Sequence, residues 1–105
     1  MRFIETPVFT RRLLELLSDD EYRPLQLALL FRPEQGDLIR GTGGLRKIRW
    51  KARGTGKRGG CRVIYYWDKK DDTIYLLLIF AKGKQEDLTP EQVKSLRRLV
   101  LEELK

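Results

Sequence analysis

Apolar positions along the chain recur first at helical spacing, then every second residue, then at helical spacing again, and these changes outline the elements. Phe3 and Ile4 favour a short strand over residues 2–5. Thr6 followed by Pro7 reads as an N-cap with proline at the first helical position. Phe9, Leu13, Leu14, Leu16 and Leu17 then give an apolar stripe, which predicts a helix over residues 7–17. Ser18-Asp-Asp-Glu21 fits a capping box and predicts a second helix to about Phe31, with Tyr22, Leu25, Leu27, Leu29 and Leu30 for burial. Pro24 falls in its first turns, where a missing amide costs little. Two helices joined through one cap make an antiparallel hairpin.

Beyond a turn at residues 32–36 and the glycine-rich loop 41–44, the period drops to two. Over residues 45–51, Lys47, Arg49 and Lys51 alternate with Ile48 and Trp50, which predicts a half-buried strand with one basic face. Residues 53–60 are half glycine and predict a mobile, positively charged hairpin loop. Residues 61–67 return as a strand rich in Val63, Ile64, Tyr65, Tyr66 and Trp67, and 68–72 form a turn. Residues 73–80 are nearly all apolar, as in a central strand covered on both faces. Thr89-Pro90-Glu91-Gln92 is a second capping box, opening a last helix to Leu104 with Val93, Leu96, Leu99, Val100 and Leu104 as its stripe. The expected architecture is a single α+β domain of β-α-α-β-β-β-α order. Its antiparallel sheet carries an N-terminal helical hairpin and a C-terminal helix, largely on one face, with the other face open.

Charge sharpens this picture. Nine of the 22 basic residues lie in residues 40–62 (Arg40, Arg46, Lys47, Arg49, Lys51, Arg53, Lys57, Arg58 and Arg62), leaving 13 basic residues against all 15 acidic ones elsewhere. The net charge of +7 is therefore local, the footprint of a face that binds polyphosphate. Like charges crowded this closely disfavour a free fold.

Other function classes fall away. Cys61 is the single cysteine of 105 residues and histidine is absent, so an intrachain disulfide, a Cys–His catalytic pair and a His/Cys zinc site are all ruled out. Cys61 itself is expected to be a small packed side chain. The longest apolar run, residues 74–81, is eight residues, far short of the ~20 that span a bilayer. With Glu5, Arg11 and Arg12 interrupting the N-terminus, a soluble cytoplasmic protein is expected. The Gly41-Thr-Gly-Gly44 and Gly54-Thr-Gly-Lys57 segments lack the Walker spacing and lie between strands, which argues against a nucleoside triphosphatase.

The basic alternation supports RNA binding. Lys47, Arg49 and Lys51, with Arg62 on the next strand and Lys82 and Lys84 after the apolar strand, would converge on one concave surface if the strands pair in order. Tyr65 and Tyr66 offer rings for stacking unpaired bases, whereas Trp50 points away from the basic face and reads as core. Cleavage by 2′-hydroxyl attack needs a base, a stabiliser of the phosphorane and an acid. Lysines and arginines can fill those roles without histidine.

Gly36-Asp37, Gly41-Thr-Gly-Gly-Leu-Arg-Lys-Ile-Arg49, Gly56-Lys-Arg-Gly-Gly-Cys-Arg-Val-Ile-Tyr-Tyr66, Ile79-Phe-Ala-Lys82 and Asp87-Leu-Thr together resemble the HigB-type toxins of the RelE/ParE toxin–antitoxin superfamily. The resemblance covers nearly the whole chain. It implies a RelE-like fold and a ribosome-dependent mRNA interferase that needs no metal or cofactor and is neutralised by a helix-turn-helix antitoxin. It maps a Lys-X-Lys pattern onto Lys47-Ile48-Arg49, a strand arginine onto Arg62 and a late basic pair onto Lys82 and Lys84. The family tyrosine is unmatched, with Thr89 standing about there. Lys47 is then the expected base, Arg62 the phosphorane stabiliser, and Lys82 or Lys84 the leaving-group partner. Arg46, Lys51, Arg53, Lys57, Arg58, Tyr65 and Tyr66 are expected to hold message or ribosomal RNA, and the toxin alone is expected to be monomeric. Two alternatives stay open: a ParE-like gyrase-inhibiting toxin, and a catalytically silent module that binds RNA or the ribosome.

Overall fold

A computed structural model of the chain describes residues 1–51, 60–81, 83 and 87–104. The elements follow the order β1 (Arg2–Glu5), α1 (Pro7–Leu16), α2 (Asp19–Phe31), β2 (Asp37–Leu38), β3 (Leu45–Trp50), β4 (Cys61–Asp68), β5 (Thr73–Ala81) and α3 (Pro90–Leu99). The last turn of α3 widens into a π-helical segment, Val100–Leu104.

Each helix starts at its expected cap. Thr6 Oγ1 accepts from the Phe9 amide at 3.0 Å and donates to the Leu77 carbonyl at 2.8 Å, so the cap also fastens α1 to β5. Ser18 and Glu21 form the full capping box of α2, and Thr89 and Gln92 that of α3. These bonds satisfy amides that a helix start leaves without partners.

The sheet order is β1-β5-β4-β3-β2. The β5–β4–β3–β2 pairs are antiparallel, as expected, but β1 lies parallel to β5, so the sheet is mixed. The two-residue strand β2 is an addition to the four strands expected. It is held by Asp37↔Lys47 and Leu38↔Arg46 pairing. Gly60 turns the chain into β4 with φ +77°, and a Cβ there would run into the Trp50 carbonyl.

The helices occupy both faces, which corrects the expectation of one open face. Phe9, Leu13 and Leu17 of the first helical segment, with Leu25 and Leu29 of α2, pack on Val63, Tyr65, Ile74, Leu76 and Ile79. On the opposite face Leu45, Ile64, Leu78 and Phe80 pack with Val100, and Leu96, Leu99 and Leu104 join them from the C-terminal helix. A nearly all-apolar β5 requires this double cover, because either face left in water would expose large aliphatic side chains. Not every stripe residue is inside: Leu14 is 78% exposed, and Leu27 and Leu30 are about half exposed.

Candidate active site

Alternation on β3 divides its basic residues between the two faces. Leu45 packs under the C-terminal helix, so Lys47 and Arg49 project from that same face, while Ile48 and Trp50 join the core beneath α1 and α2. Trp50 Nε1 donates to the Glu21 carbonyl at 3.1 Å, which makes it a core residue as expected. On β4, Arg62 shares the face of Ile64 and Tyr66, and strand pairing sets it between Arg49 on β3 and Phe80 on β5. Lys47, Arg49 and Arg62 are thus brought together at one end of the sheet.

Their environments differ. Arg49 is exposed and Lys47 half-buried, but Arg62 is only 4% exposed. Its Nη1 is buried and makes no hydrogen bond to any described residue. A buried guanidinium N–H without an acceptor costs free energy, and so does a like charge directly across the strand. A bound anion would relieve both.

Asp87, which the sequence reading quotes within the resemblance but not among the site residues, lies against this cluster. Its Oδ1 accepts from the Leu88 amide at 2.8 Å and from Lys47 Nζ at 3.3 Å. The Leu88 amide, then Lys47 and the nearby Arg62 charge, hold its carboxyl below the ordinary range against the opposing effect of partial burial. The signal that could have found it is its place two residues before the Thr89 cap. That cap fixes where α3 begins, and therefore what precedes it.

Other expected site residues are placed elsewhere. Arg46 projects to the opposite face, where Nη1 donates to the Glu34 carbonyl at 2.7 Å and the Gly36 carbonyl at 2.8 Å, tying down the loop before β2. Tyr65 is wholly buried, and its hydroxyl donates to the Pro33 carbonyl and accepts from the Gly36 amide, so its ring is closed to stacking. The close approach leaves no room for a side chain at Gly36, where a Cβ would meet the Tyr65 ring at 2.8 Å. Burial also raises the Tyr65 hydroxyl above its ordinary range.

Tyr66 keeps the basic face, but four residues from Arg62, about 13 Å along the strand. It pairs with the Tyr75 ring at 6.4 Å and lines a separate cleft of about 790 Å³ with Gly44, Lys69 and Leu104. Lys47, Arg49 and Arg62 therefore sit at one end of the face and the Tyr66–Tyr75 pair at the other, with the C-terminal helix between them. A smaller cleft of about 330 Å³, lined by Gly36, Asp37, Lys47 and Arg49, adjoins the cations. Lys51 is exposed just beyond β3. Arg53, Lys57, Arg58, Lys82 and Lys84 lie outside the described residues.

Cys61 is buried, and burial pushes its thiol up to about 11, far from the reactive thiolate range. Among the described residues no three His, Cys, Asp or Glu side chains group to hold a metal ion, and no helix is long and apolar enough to cross a membrane.

No protein-family model matches the chain. Among solved structures, it resembles a free-state variant of the E. coli toxin RelE in which two arginines are replaced by alanine. That pair has a TM-score of 0.60 and 14% identity over 91% of this chain and 92% of the other. The intact E. coli RelBE toxin–antitoxin complex contains a chain with TM-score 0.60 and 14% identity, covering 80% of this chain and 98% of that one. An archaeal RelE–RelB complex from Pyrococcus horikoshii gives TM-score 0.51 at 28% identity, over 80% of this chain and 97% of that one. The chain has a RelE-like α+β fold.

Proposed function

We propose that the protein is the toxin of a type II toxin–antitoxin module and acts as a HigB-like mRNA interferase, cutting translated message in the ribosomal A site. The observation that carries this reading is Arg62: a buried guanidinium whose Nη1 has no acceptor among the described residues, set beside Lys47 and Arg49 on a RelE-like sheet. RelE toxins and RelB-bound RelE among the structural neighbours support a toxin with an antitoxin partner. The resemblance to HigB-type sequences supports a helix-turn-helix antitoxin, a cytoplasmic location and a monomeric free toxin.

In the proposed reaction, Lys47, once freed from Asp87 and after giving its ammonium proton to water, takes the proton of a ribose 2′-hydroxyl. The O2′–P bond forms, Arg62 and Arg49 hold the equatorial oxygens of the phosphorane, and the P–O5′ bond breaks. Lys82 or Lys84 returns a proton to the departing oxygen, leaving a 2′,3′-cyclic phosphate and a 5′-hydroxyl.

The near-complete burial of Arg62 favours a second reading, a module that binds RNA or the ribosome without cutting. Primer extension on a message translated in vitro with the purified protein separates them. Codon-phased cuts that vanish without ribosomes support the interferase. Stalled translation on intact message supports the silent module, and gyrase-dependent DNA breaks with intact translation support a ParE-like toxin. Arg62→Ala is expected to lower cutting by about a hundredfold or more, the scale of losing one transition-state donor, while still binding its antitoxin. Full activity in that variant removes Arg62 from the mechanism.

A further inference from the structure

The Asp87 carboxylate occupies an unusual position, at 3.3 Å from Lys47 Nζ and near enough to Arg62 for the two charges to interact. These are two of the cations that a bound phosphodiester would engage in the proposed reaction. Asp37, the cross-strand partner of Lys47, makes no ion pair with it, so the contact to Asp87 is selective.

We propose that Asp87 is an internal stand-in for the substrate phosphate, a built-in competitor that holds Lys47 until an RNA phosphodiester displaces it. This rests on the interferase reading and adds to it a restraint within the free toxin. Three observations carry it. First, Asp87 Oδ1 at 3.3 Å takes a charge-assisted contact on Lys47 Nζ that a phosphodiester oxygen would otherwise take, so the two anions compete for one cation. Second, the Leu88 amide anchors Asp87 Oδ1, and Leu88 directly precedes the Thr89 cap, so the carboxylate is positioned by the start of α3. Third, Asp87 is 65% exposed and the pair is open to water, which makes it weak enough for a polyanion to displace.

The alternative role, Asp87 as the proton acceptor, is disfavoured by the same contacts. They keep its carboxyl below the usual range, and an acid that strong leaves a weak base.

The test is binding without cleavage. The probe is a single-stranded oligoribonucleotide with every 2′-hydroxyl O-methylated, followed by fluorescence anisotropy at fixed salt. Asp87→Asn keeps the acceptor for the Leu88 amide and removes the charge. It is expected to tighten binding about three- to fivefold, the scale of an exposed ion pair. Asp71→Asn, the same charge change in the β4–β5 turn, is expected to alter binding by less than about half that. In a Lys47→Ala background the gain from Asp87→Asn should shrink, leaving only the weaker effect through Arg62.

Unchanged or weaker binding by Asp87→Asn overturns the restraint, as does an equal gain in the Lys47→Ala background or from Asp71→Asn. In those cases ribosome-dependent cutting by the wild-type protein would leave the interferase reading standing. Failure of every protein to bind the probe, with no cutting on ribosomes, removes both.

Discussion

Arg62 and Tyr65 lie three residues apart on β4, both buried, and burial has opposite consequences for them. Tyr65 has a partner for each capacity of its hydroxyl, the Pro33 carbonyl at 2.7 Å and the Gly36 amide at 2.9 Å. Its polar atom therefore costs the core little, and the bond fixes the loop before β2. Tyr65→Phe is expected to lower stability by about 1–3 kcal/mol by leaving the Gly36 amide buried and unpaired, with RNA binding unchanged. Urea denaturation beside the anisotropy assay checks both halves. Arg62 instead keeps a buried N–H without an acceptor among the described residues, as expected of a group kept ready for an anion. Asp87 adds a pH signature. Its folded carboxyl is depressed, so the stability it contributes is fully present above about pH 3.9, the unfolded value, and is lost as pH falls through the folded one. The stability difference between wild type and Asp87→Asn should be flat from pH 5 to 7 and shrink below pH 4, as read by urea titrations across that range.

At the scale of elements, what was legible in the sequence was whatever is decided locally. Thr6-Pro7, Ser18 to Glu21 and Thr89 to Gln92 each place a cap and a first turn, and the three helices begin at Pro7, Asp19 and Pro90. The alternation Lys47, Arg49 against Ile48, Trp50 likewise assigned those side chains to opposite faces of β3. Partner choice is not local. Nothing in Arg2–Glu5 distinguishes parallel from antiparallel pairing, and two residues at Asp37–Leu38 are too few to show a period. The stripe on α3 says that one side is buried but not which sheet face receives it, so the closure of the second face was missed. The loop contacts of Arg46 and Tyr65 were hidden for a related reason, since composition near a basic strand does not reveal a carbonyl waiting on another loop. Because Thr89 caps α3 just after Asp87, Thr89→Ala should cost about 1 kcal/mol of stability. If the cap also positions Asp87, the variant should bind the methylated probe more tightly as well, which thermal melts and anisotropy measured on one preparation would reveal.

Across the sheet face under the C-terminal helix, the cluster of Lys47, Arg49 and Arg62 is separated from the Tyr66–Tyr75 rings. The C-terminal helix packs over Ile64 and Leu78, between the cations at one end of the face and the Tyr66–Tyr75 pair at the other. Binding at the cationic end should therefore be governed by phosphate neutralisation, with little help from stacking. Each single-strand phosphate contact contributes about 0.7 to the slope of log affinity against log salt. Arg49→Ala should reduce that slope by about one such contact, because Arg49 is exposed beside Lys47 and Arg62. Tyr66→Ala should leave the slope unchanged, whatever it does to affinity, because a ring releases no counterions. Equal loss of slope in both variants would mean that the nucleic acid crosses the helix and contacts both ends at once. A slope change for Arg49→Ala alone would confine the bound phosphates to the end where β3 and β4 bring Lys47, Arg49 and Arg62 together.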